Sequence, residues 1–232
     1  MGKTKIEWTD RVWNVMTGCL GPRNDGVLCP YCYGKGLAVR FNNGDFDPAW
    51  HPERLDEPLR VKKPSRFFTG SVTDYFGNWV DQYHFNEILR VTARCPQHTF
   101  YMLTKQADHI ACKAGNHARL YREYGWYNNV WLGVSVTCTA DLGRIERLRD
   151  AWPGHKFVSF EPLIAINRAP DLQGIEWCII GAMTGRGAKK HQPAYGDALS
   201  IMNAADKLGI PVFLKENLAL PSSAERRQEF PK

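Results

Sequence analysis

The chain has 232 residues, 44% hydrophobic and 23% charged side chains, and a formal net charge of +6. That balance fits a globular chain and excludes a disordered or fibrous one. No apolar run approaches the roughly 18 residues of a membrane span, the N-terminus lacks an apolar signal core, and Ile6 breaks the myristoylation pattern, so we expect one cytoplasmic domain over residues 1–232 with no membrane partner.

In chain order, residues 10–18 alternate apolar and polar groups at Val12, Asn14 and Met16, which predicts a first strand. Directly after it, Cys19, Cys29 and Cys32 fall within fourteen residues, in a loop broken by Gly21, Pro22, Gly26 and Pro30. Such a loop can aim three thiolates at one point, and thiolates suit zinc or an iron–sulfur cluster. A structural zinc site wants four protein ligands, yet no further Cys or His follows until His51. A metal centre with three protein ligands keeps one position open for chemistry. The seven cysteines are an odd number without a secretory signal, which argues against a disulfide framework; Cys178 reads as a buried strand residue.

Pro30 can open a helix that carries Leu37, Ala38 and Phe41 and stops at Asn42-Asn43-Gly44. Residues 45–64 hold four prolines and read as an irregular excursion. A repeating unit follows. Strands are predicted at 66–70, 99–104, 130–135, 156–160, 177–181 and 211–215, and helices at 82–94, 107–124, 140–151 and 194–208. The stretch after residue 160 has no clear helix. Apolar strands followed by helices argue for a parallel sheet with helices outside it. The expected fold is an α/β incomplete parallel (β/α) barrel of six or seven strands, with a doubly wound open sheet as the alternative.

In such folds ligands sit at the carboxyl ends of the strands. Polar residues follow nearly every apolar run: Ser71, Thr73 and Asp74, then Thr104 and Lys105, Ser135, Glu161, Gly181 and Thr184, and Lys215 with Glu216. Lys105, Glu161 and Lys215 are the candidate catalytic groups. Structural roles compete with these. Ser71, Thr73 and Asp74 could cap the next helix, Ser135 could bond its own backbone, and Glu161 could pair with Lys105 or Lys215. Basic groups gather at residues 60–66, at 186–190 and at Arg226 and Arg227, either to meet phosphates or to keep loops solvated.

The spacing Cys29-Pro-Tyr-Cys32, with aromatic Tyr31 before the last cysteine, resembles the radical S-adenosylmethionine superfamily. The first gap is nine residues where the common signature has three. Nearly the whole chain is similar to a phage-associated family of three-cysteine-motif proteins. That likeness rests on Lys5-Ile-Glu-Trp-Thr-Asp10, Trp13-Asn14, Thr17-Gly-Cys19, Cys29-Pro-Tyr-Cys-Tyr33, Leu103-Thr-Lys105, Asn129 to Ser135, Phe157 to Leu163 and Ile179-Ile-Gly181. Spore photoproduct lyase, a DNA-repair enzyme, stands further off by fold and cluster chemistry.

The resemblance implies a [4Fe–4S] cluster on Cys19, Cys29 and Cys32, with S-adenosyl-L-methionine on the fourth iron and a 5′-deoxyadenosyl radical that abstracts hydrogen. It implies an electron donor of the flavodoxin or ferredoxin type. The substrate would be a modified nucleobase, a nucleotide or a nucleic acid, in a reaction of isomerase or lyase type. Ser71, Thr73 and Asp74 would face the methionine end of the cofactor, and Tyr31, the aromatic of the motif, would be a further cofactor-binding residue. Lys105 would face its carboxylate and Ser135 and Glu161 its ribose, while Gly181 would leave room for adenine. Tyr33, Tyr75, Tyr101 and Cys138 are candidate hydrogen relays. The competing readings are a zinc-containing nucleic-acid-binding module, with His51 or Asp45 as fourth ligand, and a barrel enzyme using an ordinary divalent metal.

Overall fold

The computed structural model describes residues 4–23, 25–124, 127–184, 188 and 191–231. In chain order the strands are β1 (Arg11–Trp13), β2 (Met16–Thr17), β3 (Ala49–Trp50), β4 (Arg66–Thr69), β5 (Thr99–Thr104), β6 (Val130–Ser135), β7 (His155–Phe160), β8 (Trp177–Ile180) and β9 (Val212–Leu214). The helices are α1 (Tyr33–Phe41), α2 (Gln82–Ala93), α3 (Ile110–Tyr124), α4 (Gly143–Ala151) and α5 (Tyr195–Asp206). Seven strands form one parallel sheet in the order β1-β4-β5-β6-β7-β8-β9. The spatial order follows the chain order without reversal, so there is no switch point of the kind that defines a doubly wound sheet. The result is a curled half-barrel, as the parallel barrel expectation required.

Strand periodicity sorts the side chains into two cores. Phe100, Leu132, Val158 and Ile180 face outward and pack with Ile88, Ile110, Leu148 and Ile201 of the helices. The alternate residues Phe68, Tyr101, Trp131, Phe157, Trp177 and Phe213 face the lumen. Trp8 fills that aromatic floor, its ring 4.8 Å from Phe68 and 6.2 Å from Trp177. Gly133 sits in the same layer because a Cβ there would lie 2.5 Å from the Phe157 ring.

The C-terminal segment closes the amino-end of the barrel. Glu229 accepts a hydrogen bond from the Trp177 indole at 2.8 Å, and the Arg66 guanidinium lies 4.2 Å over the Phe230 ring. Asp81 caps α2 by accepting from the Tyr83 amide at 2.6 Å, so Ser71, Thr73 and Asp74 are free of that task.

Three expectations are corrected. The run 10–18 is two strands, because β2 leaves the large sheet to pair antiparallel with β3. The excursion 45–64 therefore contains a strand, followed by two turns of 3₁₀ helix at Pro52–Arg54 and Pro58–Arg60. In α1 only Ala38 of the three apolar residues is buried, and Phe41 is 73% exposed. The basic residues Arg186, Lys189 and Lys190 lie outside the described residues. Among those described, no helix is long and apolar enough to cross a membrane.

Candidate active site

Where the lumen-facing series passes the aromatic floor it turns polar. The inward positions at or just beyond the strand ends are Asn14, Lys105, Ser135, Glu161 and Lys215, with Gly70 and Gly181 as gaps between larger groups. Above them is a cavity of about 650 Å³, within the range of small-molecule sites. Cys19, Cys29 and Cys32 all line it.

The cysteine loop is held by backbone geometry. Gly18 and Gly21 both have φ near +84°, and a Cβ on either would lie 2.1 Å from the Asp47 carbonyl oxygen or 2.0 Å from that of Val27. Only glycine fits such positions. The Cys19 amide donates to the Phe46 carbonyl at 3.2 Å, and the Cys19 sulfur accepts from the Gly21 amide at 3.3 Å. Cys32 caps α1, accepting from the Lys35 amide at 3.4 Å. The loop is then tied to the barrel. Thr73 donates to the Gly18 carbonyl at 2.6 Å, Gln106 donates to the Gly21 carbonyl at 2.9 Å, and Tyr33 donates its hydroxyl to the Ser71 carbonyl.

Asp74 is buried and fully bonded. It accepts from the Thr104 hydroxyl and the Lys105 amide, each at 2.8 Å, and from the Phe76 amide at 3.0 Å. Burial raises its pKa, with those three donors opposing the shift. The Lys105 ammonium donates to the Ser135 hydroxyl at 3.3 Å and lies 6.0 Å from the Tyr31 ring. Tyr31 lies 3.5 Å from the Thr137 hydroxyl, which donates to Asp141; Asp141 pairs with Arg144, and Arg144 donates to the Ser135 carbonyl at 2.7 Å. Burial pushes the Cys19 thiol up to about 12 against the Gly21 hydrogen bond, with negative charge at Asp74, Cys32 and Cys29 adding to the rise. Burial likewise pushes the Tyr31 hydroxyl up to about 12.

Tyr31, Ser71, Thr73, Asp74, Lys105, Ser135, Glu161 and Lys215 line the cavity with the three cysteines. Gly181 lies behind its wall. A Cβ on Gly181 would meet Lys215 Cδ at 2.8 Å and Glu161 at 3.3 Å, so its small size makes room for the Lys215–Glu161 ion pair. Of the four relay candidates only Tyr33 borders the cavity; Tyr101 lies in the aromatic floor. Sequence reasoning missed Asn14, which holds Ser71 through its amide at 2.8 Å and its hydroxyl at 3.0 Å. It also missed Ser159 and the N-terminal wall of Ile6 and Trp8. For Ser159 the signal was present, since it is the inward position between Phe157 and Glu161.

Among the described residues no group of three or more His, Cys, Asp or Glu side chains is placed to hold a metal ion. The proposed fourth ligands are engaged elsewhere, His51 with the Thr17 hydroxyl at 2.9 Å and Asp45 with the Asp47 amide at 3.0 Å. A cubane cluster takes one thiolate at each of three separate irons, and three cysteines around one cavity suit that arrangement. The Ser159 hydroxyl, buried in the same wall without a hydrogen-bond partner, is a group that a ligand would complete.

The family described as "Protein of unknown function (DUF5131)" matches residues 3–228. No curated protein matches the chain. Among solved structures, a mutant of spore photoproduct lyase aligns with a TM-score of 0.51 at 11% identity, covering 82% of this chain and 61% of that one. The likeness is one of fold, a parallel half-barrel.

Proposed function

The chain belongs to that DUF5131 family, and we propose that it is a radical S-adenosylmethionine enzyme. The single observation that carries the reading is that Cys19, Cys29 and Cys32 line one cavity together with the polar strand ends of a half-barrel. The structural likeness to spore photoproduct lyase supports it.

Cys19, Cys29 and Cys32 would hold a [4Fe–4S] cluster. When bound with S-adenosylmethionine, and given one electron from a flavodoxin- or ferredoxin-type donor, the cluster would supply reductive cleavage of the sulfonium and a 5′-deoxyadenosyl radical for hydrogen abstraction. The chain's own residues bind and orient. Lys105 presents a cation beside the Ser135 hydroxyl, suited to a carboxylate and a ribose hydroxyl of the cofactor. Asp74 is spent on its three donors, so its part is to hold Lys105 and the loop after β4 in place. Thr73 buttresses the cysteine loop through the Gly18 carbonyl, and the Ser71 carbonyl accepts from the Tyr33 hydroxyl just past Cys32. Glu161 and Lys215 pair across the cavity wall, where they can orient a ligand by charge without leaving an unmatched ion in it. The aromatic floor excludes water from below. The substrate reading is a nucleobase or nucleotide, with an isomerase- or lyase-type outcome.

The test is anaerobic incubation of the reduced protein with S-adenosylmethionine. Formation of 5′-deoxyadenosine and methionine, lost in Lys105→Ala, supports the reading. A protein that carries its cluster yet leaves the cofactor intact under strong reduction overturns it.

A further inference from the structure

The Lys5-Ile-Glu-Trp-Thr-Asp10 stretch, which supplies Trp8 to the aromatic floor, runs between the two edges of the open sheet. Glu7 accepts from the Glu216 amide beyond β9 at 2.8 Å, and Thr9 donates to the Arg66 carbonyl beside β1 at 2.7 Å. Lys5, Ile6 and Trp8 thereby become cavity wall.

This wall has a chemical gradient. At its inner end Ile6, Val12, Phe68 and Leu103 border the space and carry no charge, so an ion placed there would be desolvated without compensation. Two polar atoms at that end have no hydrogen-bond partner, the Trp8 indole N–H and the Ser159 hydroxyl, in residues 2% and 1% exposed. A ring with a carbonyl edge would give either one an acceptor. At the outer end lies Lys5. Three lysines line the cavity; Lys105 is bonded to Ser135 and Lys215 to Glu161, whereas Lys5 is exposed and has no partner among the described residues.

We propose that this wall takes a nucleotide unit, its neutral heterocyclic ring inside against Ile6 and Trp8 and its phosphate at the Lys5 ammonium. This names the substrate class of the site proposed above and rests on that reading for what then happens to the ring. The phosphate is the shared chemistry of a free nucleotide and of a single strand.

The experiment is ¹⁹F NMR titration of 5-fluorouridine monophosphate and of 5-fluorouridine against the anaerobically purified full chain, with S-adenosylhomocysteine saturating to fill the cofactor position. The monophosphate should bind roughly fivefold more tightly than the nucleoside. Lys5→Gln should erase that preference and Lys5→Arg should keep it. Ser159→Ala should weaken both ligands roughly three- to tenfold without lowering the ligand-free melting temperature, because it deletes an unsatisfied hydroxyl. Equal affinities in the unmodified protein, an equal loss for both ligands in Lys5→Gln, or displacement by S-adenosylhomocysteine would overturn the proposal. A fluorouridine trinucleotide identifies the source: tighter binding than the monophosphate assigns a strand, weaker binding a free nucleotide. Iron content measured on the same samples keeps the two readings apart, since a phosphate preference in a cluster-free protein sinks the enzyme reading alone.

Discussion

The Thr73 hydroxyl donates to the Gly18 carbonyl at 2.6 Å, joining the loop after β4 to the residue before Cys19. A barrel strand end thus fixes where the first cysteine stands. Thr73→Val keeps the shape, removes the donor and leaves a carbonyl unpaired, at a cost of about 1–2 kcal/mol. Thr73→Ser should keep the bond. The check is chemical denaturation together with iron retained under a chelator: the valine variant should lose iron faster than the serine variant, and equal loss would mean that the bond does not hold the loop.

Gly18 makes a sharper prediction. Its φ of +84° and the 2.1 Å approach of the Asp47 carbonyl oxygen leave no place for a methyl group, so Gly18→Ala should cost about 3 kcal/mol or more. Gly26 has φ +79° with nothing within 4 Å, and alanine there should cost only about 1–2 kcal/mol. Comparing the two by urea denaturation separates backbone strain from collision.

The Lys215–Glu161 pair is mostly buried, with side-chain exposures of 10% and 22%. Glu161→Gln strands a cation in the wall and should destabilise the fold by about 2–4 kcal/mol. Combining Glu161→Gln with Lys215→Met should restore most of that loss. If the double variant is as unstable as the sum of its singles, the pair is not coupled as described.

Much of this architecture was legible because a strand covered on both faces leaves an unbroken apolar run, as Val130 to Ser135 does with all six residues buried. The polar strand ends were legible for the same reason, as Lys105 and Glu161 break such runs at the carboxyl end. Periodicity could not choose between barrel and open sheet, because that is a matter of which strands neighbour one another, and it took the unreversed order β1 to β9 to decide it. The β2–β3 ribbon escaped notice because two-residue strands carry no period. The Asn14–Ser71 contact spans 57 residues and leaves no local trace. The side chains that a Cβ on Gly181 would meet, Lys215 and Glu161, lie far from it in sequence and were not legible as its neighbours.

Acid should loosen the closure at the barrel's amino-end. The hydrogen-bonded Arg66 guanidinium holds the Asp10 carboxyl below its ordinary pKa, and Arg227 does the same for Glu229. Carboxylates depressed in the folded state stabilise it at pH above their unfolded values, and that contribution is lost as pH falls through the folded ones. Both groups are well exposed, so each is worth at most about 1 kcal/mol after screening. Melting temperatures from pH 2.5 to 7 should show Asp10→Asn below the unmodified protein at neutral pH and merging with it in acid. A gap that persists undiminished at the lowest pH would contradict the assignment.

The most direct test of the central claim is iron and acid-labile sulfide per chain after anaerobic reconstitution, in the unmodified protein and in Cys19→Ala, Cys29→Ala and Cys32→Ala. The account predicts roughly four of each in the parent and a loss of cluster in every variant, with Cys95→Ala unaffected. A colourless parent that binds one zinc, or a cluster that survives removal of Cys19, would contradict it.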